Sequence, residues 1–198
     1  MTALAQAVRA IETASRAELV VVVRVRSAPY REAAFAGGLI AALVALAFML
    51  FSPWPFALAW FLVDPLLVGA AAALAVSRAE RLVRALTSAR ARAAAVRNAA
   101  RLAFLDRGVT ATRERTGVLV YVSLLERAAE VVADLGVLEA VPPKEWDAAA
   151  AAIREAVASG GDGEAVAARL HAMAEMLGDA LPAGPGDVNE LPDEVAAP

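Results

Sequence analysis

Two uncharged apolar runs dominate the chain, and shorter amphipathic segments lie on either side of them. Ala33–Phe51 (AAFAGGLIAALVALAFMLF) holds no charge over 19 residues, and Trp54–Val76 (WPFALAWFLVDPLLVGAAAALAV) holds only Asp64. At 1.5 Å per residue each run extends about 28–35 Å as a helix, the thickness of a hydrocarbon core. Pro53 and Pro55 interrupt the pattern, and Trp54 and Trp60 suit an interface near the turn. The pattern predicts a transmembrane helical hairpin over residues 33–76. It is unlike a signal peptide, because a helix and a strand precede it.

Before the hairpin, residues 3–14 (ALAQAVRAIETA) set Leu4, Ala7, Val8 and Ile11 on one side of a short helix. Glu18–Ser27 (ELVVVVRVRS) reads as a strand buried at its start and half-exposed at its end. After the hairpin, Ser77–Leu105 lacks Gly and Pro and predicts one long helix or two collinear ones. Gly108 offers a left-handed stop. GVLVYVSL and AEVVADLG then predict two strands of a hairpin with Glu126 and Arg127 at its tip. Glu145–Ser159 aligns Trp146, Ala150, Ile153 and Val157 on one helical face. Glu164–Leu181 aligns Val166, Leu170, Met173, Leu177 and Leu181. Residues 182–198 form a Pro/Gly/acid tail expected to be disordered. Three strands suffice for a small sheet with a core. The domain plan is therefore 1–32 and 77–181 as two parts of one α/β domain, 33–76 as the hairpin, and 182–198 as the tail.

Composition sharpens this picture. Of 198 residues 60% are hydrophobic, and mean hydropathy is +0.57. The absence of Cys excludes disulfides and thiolate chemistry. The net charge of −3 hides an asymmetry: residues 1–116 carry 15 Arg against 7 acids, while 117–198 carry 4 Lys/Arg against 15 acids. A basic half beside apolar spans points to anionic lipid headgroups, and no nucleic-acid motif competes with that reading. Arg24, Arg26 and Arg31 precede the hairpin, Arg78, Arg81 and Arg84 follow it, and its turn has no Lys or Arg. The positive-inside rule then predicts both termini in the cytoplasm. Because the insertion follows the first strand directly, it holds the sheet near the bilayer. Gly37/Ala41/Ala45 and Gly69/Ala73/Ser77 are the small-residue ridges that would let spans approach, within the hairpin or in a homo-oligomer.

The candidate chemistry is sparse. Glu130 and Asp134 share a strand parity and, with Glu18 or Glu126, are the candidate oxygen ligands for Ca²⁺ or Mg²⁺. Arg113, Arg115 and Thr116 precede a strand and are the candidate anion-binding residues. Asp64 is the intramembrane carboxylate, followed by Pro65. His171 lies off the apolar stripe of its helix. No P-loop and no H-E-x-x-H motif occurs.

The segments FLDRGVTATRERTGVLVYVSLLERAAEVVADLGV and Trp146, with ETASRAELVVVV upstream and NELPDE near the end, resemble the TPM domain family. These are also called thylakoid acid phosphatase-like domains. The likeness is to the bacterial branch in which a membrane hairpin interrupts the domain. It implies an α/β/α fold, a small mixed sheet with helices on both faces. It further implies either an accessory factor in assembly or repair of membrane complexes, or an acid phosphatase, some members binding calcium through acidic side chains. The expectation is a non-enzymatic, membrane-anchored domain that binds a membrane-protein partner or itself. The alternative is a membrane-bound phosphatase with an acidic Ca/Mg site.

Overall fold

A computed structural model describes residues 2–184, 191 and 195–196. The chain divides into two compact units: residues up to 27 together with those from 93 onward, and residues 28–92 between them.

The first unit is an α/β domain. Helix α1 (Thr2–Ala14) leads into strand β1 (Glu18–Arg24); the hairpin unit, with helices α2, α3 and α4, intervenes before helix α5 (Ala89–Asp106). A 3₁₀ turn (Val109–Ala111) then precedes β2 (Gly117–Ser123) and β3 (Ala128–Ala133). Helices α6 (Leu135–Ala140), α7 (Pro143–Ala158) and α8 (Gly163–Ala180) complete it, with a short β4 (Val195–Ala196). Among the described residues the sheet order is β3-β2-β1-β4. β1 runs parallel to β2, with Glu18 opposite Gly117 and Arg24 opposite Ser123, while β2 and β3 are antiparallel.

Strand parity divides the core in two. Leu19, Val21, Val118, Val120, Ala129 and Val131 face α1, α7 and α8, meeting Ile11, Ile153, Leu170 and Leu177. Val20, Val22, Leu119 and Tyr121 face the other way, against Val96 and Ala100 of α5, Val109 and Leu191. Because both faces are covered, β2 is buried at every position. That explains the unbroken apolar run VLVYV, which suits a sheet sandwiched between helices and not one exposed on a face. The expected stripes of α1, α7 and α8 are all in this core, and His171 is exposed.

The second unit holds the hairpin: α2 (Arg31–Phe51), α3 (Trp60–Arg78) and the short α4 (Glu80–Leu86). Helices α2 and α3 are long and apolar enough to cross a membrane. Their large side chains point outward: Phe35 is 73% exposed, Val44 63%, Leu62 69% and Leu66 63%. A core helix of a soluble protein would bury these groups. The contact between the spans is made by glycines. A Cβ on Gly38 would stand 2.8 Å from the Gly69 carbonyl oxygen, and one on Gly69 would stand 3.0 Å from that of Gly38. Ala42 and Ala73 flank this crossing.

Several boundaries differ from the sequence expectation. The second span starts at Trp60 and not Trp54, because the prolines keep residues 52–59 out of a regular helix. The ridge on α2 is Gly38/Ala42, one residue on from Gly37/Ala41; Gly37 instead meets Val76 and Leu86. The continuous helix over Ser77–Leu105 is broken at Ala79 and Thr87, both extended. The Ser88 hydroxyl accepts from the Ala91 N–H at 3.2 Å, an N-terminal cap that restarts the helix as α5. β3 ends at Ala133, so AEVVADLG is not a strand throughout; Asp134 caps α6 instead. Most of the tail lies outside the described residues. Leu191 is buried, and Val195–Ala196 pairs with Val21–Val22.

The glycine crossing gives a direct test. Gly38→Ala and Gly69→Ala are expected to destabilise the hairpin by about 1–3 kcal/mol, since backbone must move to admit a methyl group. Gly163→Ala, where nothing lies within 4 Å, should be near neutral. Thermal unfolding of the full chain in detergent reads the difference.

Candidate functional site

The carboxyl ends of β1 and β2 lie side by side because the strands are parallel. In open α/β sheets this edge is where ligands bind. Here the chain continues past β1 as Val25-Arg26-Ser27 and is held against the β2–β3 turn. Leu124 N–H donates to the Arg24 carbonyl at 2.9 Å and Leu125 N–H to the Val25 carbonyl at 2.9 Å. Glu126, 7% exposed, secures the next residue: its carboxylate accepts the Ser27 N–H at 2.9 Å and the Ser123 hydroxyl. Ser27 Oγ in turn donates to Ser123 Oγ at 2.9 Å, and Tyr121 OH stands 3.3 Å from Ser27 Oγ. With the Ser27 proton committed to Ser123, Tyr121 is the donor in that contact. The hydroxyls thus form one chain, Tyr121 to Ser27 to Ser123 to Glu126, ending on a carboxylate. Such a chain satisfies a buried charge and fixes the surrounding backbone.

Beside this network, on the α5 side of the sheet, opens a cleft of about 390 Å³. Arg24, Arg26, Ser27 and Tyr121 line one wall, and Asp106 and Arg107 at the end of α5 line the other. The three guanidinium groups are exposed, and among the described residues none forms an ion pair. A second cavity of about 410 Å³ lies on the opposite side of the sheet. It is mostly apolar, lined by Val23, Val122 and Leu124 with Arg127 and Asp162 at its polar rim.

Of the candidate ligands, Glu126 lies in this network and the others sit elsewhere. Glu18, 7% exposed, starts β1 at the other end of the sheet, and its carboxylate accepts the Leu191 N–H at 3.3 Å. Asp134 is 4% exposed and fully engaged: Oδ1 accepts from Leu135 N–H at 2.8 Å and from Arg115 Nη2 at 2.8 Å, and Oδ2 from Arg115 Nε at 3.2 Å. Glu130 is half-buried on β3 opposite Tyr121. The shared parity of Glu130 and Asp134 fails because the strand ends between them. Among the described residues no three His, Asp or Glu side chains converge to hold a metal ion.

The anion-binding candidates have different surroundings. Arg115 is neutralised by Asp134, and Thr116 is buried with its N–H on Thr112 Oγ1 at 3.0 Å. Arg113 is exposed. All three precede β2, at the far end from the arginine cleft. Asp64 is half-buried on α3, preceding the buried Pro65 within the helix. The arginine cleft itself was not anticipated. Its signal was the RVRS ending of the first strand, where charge replaces valine just as the strand leaves the core.

The chain is similar in fold to the BA42 protein from the psychrophilic bacterium Bizionia argentinensis, solved by NMR. The TM-score is 0.57 at 15% identity, over 98% of this chain and 90% of that one. No protein-family model and no curated protein matches the chain.

The hydroxyl–carboxylate network is expected to be structural. Glu126→Ala leaves the Ser27 N–H and Ser123 hydroxyl without their acceptor and should cost about 1–3 kcal/mol. Glu130→Ala, half-exposed on the sheet face, should stay within about 0.5 kcal/mol. Denaturant unfolding of the two variants measures both. Asp134→Ala should fall with Glu126→Ala, through loss of the α6 cap and the Arg115 pair.

Proposed function

We propose that this protein is a membrane-anchored, TPM-like domain that binds a membrane-protein partner, or a second copy of itself, and assists assembly of a membrane complex. The observation that carries the reading is the outward-facing apolar surface of α2 and α3, which interrupt the sequence of a well-packed α/β domain. Leu39, Leu43, Phe48 and Leu67 are each more than half exposed, which in water is a liability and in lipid or against another span is a contact surface. The arginines flanking both spans support an inner-membrane location with both termini in the cytoplasm.

The alternative, a phosphatase with an acidic Ca/Mg site, needs carboxylates free to hold a cation. Asp134 is already engaged by Arg115 and its own helix cap, Glu126 accepts the Ser27 N–H and the Ser123 hydroxyl, and Glu18 accepts the Leu191 N–H. That commitment favours the binding role.

Cross-linking in native membranes followed by purification is expected to recover a specific membrane protein or a homo-oligomer, and a reporter fused after Pro198 should be cytoplasmic. Phosphate release from a generic phosphomonoester by the detergent-solubilised chain should not respond to Ca²⁺ or Mg²⁺. Cation-stimulated hydrolysis that Glu130→Gln abolishes would overturn the reading in favour of the enzyme.

A further inference from the structure

We infer that the cleft between β1 and the end of α5 is a binding site for a phosphate group, carried by an anionic lipid headgroup or by a small soluble phosphate ester. The inference goes beyond the assembly role and does not depend on it. Three arginines, Arg24, Arg26 and Arg107, line a single cleft of about 390 Å³, with one carboxylate, Asp106, against them. The lining therefore carries a positive excess. Like charges gathered on one cleft repel one another, and an anion relieves that repulsion. Guanidinium is also the side chain whose planar donors match phosphate oxygens in pairs.

The wall that carries two of these arginines is rigid. The carbonyls of Arg24 and Val25 are fixed by the Leu124 and Leu125 amides, and Ser27 is fixed by Glu126. Arg24 and Arg26 project from a segment anchored at every residue from 24 to 27 but Arg26 itself. A preorganised backbone reduces the ordering cost of binding. Ser27 and Tyr121 direct their hydroxyl protons along the network toward Glu126, so the cleft's cationic recognition falls to the guanidinium groups. The position in the chain favours a headgroup as the source: Arg26 stands five residues before Arg31, the first residue of α2.

The test uses the full chain. In one arm, protein in phosphatidylcholine nanodiscs is titrated calorimetrically with inorganic phosphate and with glycerol phosphate. In the other, protein is released from discs containing a minority of phosphatidylglycerol, and native mass spectrometry reads which lipid it retains. The variant Arg24→Ala/Arg26→Ala/Arg107→Ala is compared with Arg97→Ala/Arg101→Ala/Arg113→Ala, which removes equal charge outside the cleft. Circular dichroism melting establishes that each variant folds. Binding in either arm that weakens about tenfold or more in the cleft variant, and less than about threefold in the control, supports the site. Loss confined to retained phosphatidylglycerol assigns the headgroup, and loss confined to calorimetry assigns a soluble ester. The triple Arg→Lys variant should bind at an intermediate level, keeping charge without paired donors. Absence of binding in both arms, or an equal loss in cleft and control variants, would overturn the proposal.

Discussion

The parallel pairing of β1 with β2 is the constraint on which the rest of this molecule depends. Seven residues of each strand match in register, Glu18–Arg24 with Gly117–Ser123, although the whole hairpin unit separates them in the chain. Parallel neighbours cannot be joined by a tight turn, so a long crossover is obligatory. This protein fills that crossover with two apolar spans and then α5. The apolar hairpin falls within that crossover. Inserted after β1, it interrupts the sequence of the domain while leaving its sheet intact.

The same pairing sets the chemistry. Parallel strands bring two carboxyl ends together, and here the β2–β3 turn folds back over them. Glu126 on that turn reaches a backbone amide 99 residues earlier in the chain, at Ser27. The contact closes the sheet edge at the point where the chain departs toward α2. It also holds Arg24 and Arg26 on the wall of a cleft completed by Arg107. At the opposite end of the sheet, Asp134 and Glu18 do quieter work: one caps α6 and holds Arg115, the other receives the Leu191 amide.

Much of this was legible in the residues. The valine-rich strands, the apolar stripes of α1, α7 and α8 and the two spans are each written in local periodicity, which burial on known faces enforces. What escaped depended on contacts between distant segments. Asp134 reads as a strand residue by parity; it becomes a cap only because the ladder ends at Ala133, although Asp ahead of Leu135 was an available cue. Glu126 looks like an ordinary turn residue until Ser27 and Ser123 are beside it. From the tail, Leu191 packs into one core and Val195–Ala196 pairs with β1, contacts that the composition of that segment does not signal. The arginine cleft unites residues 24, 26 and 107, which no local pattern connects.

The central claim is that segments on either side of the spans form one cooperative sheet. Hydrogen exchange on the full chain in detergent tests it most directly. Amides of Leu19–Val23 and Val118–Val122 should exchange with the same opening free energy and lose protection together as denaturant is added. Rapid exchange in β1 while β2 and β3 remain protected would contradict it, since the strand before the hairpin would then belong to the membrane element and not to the domain.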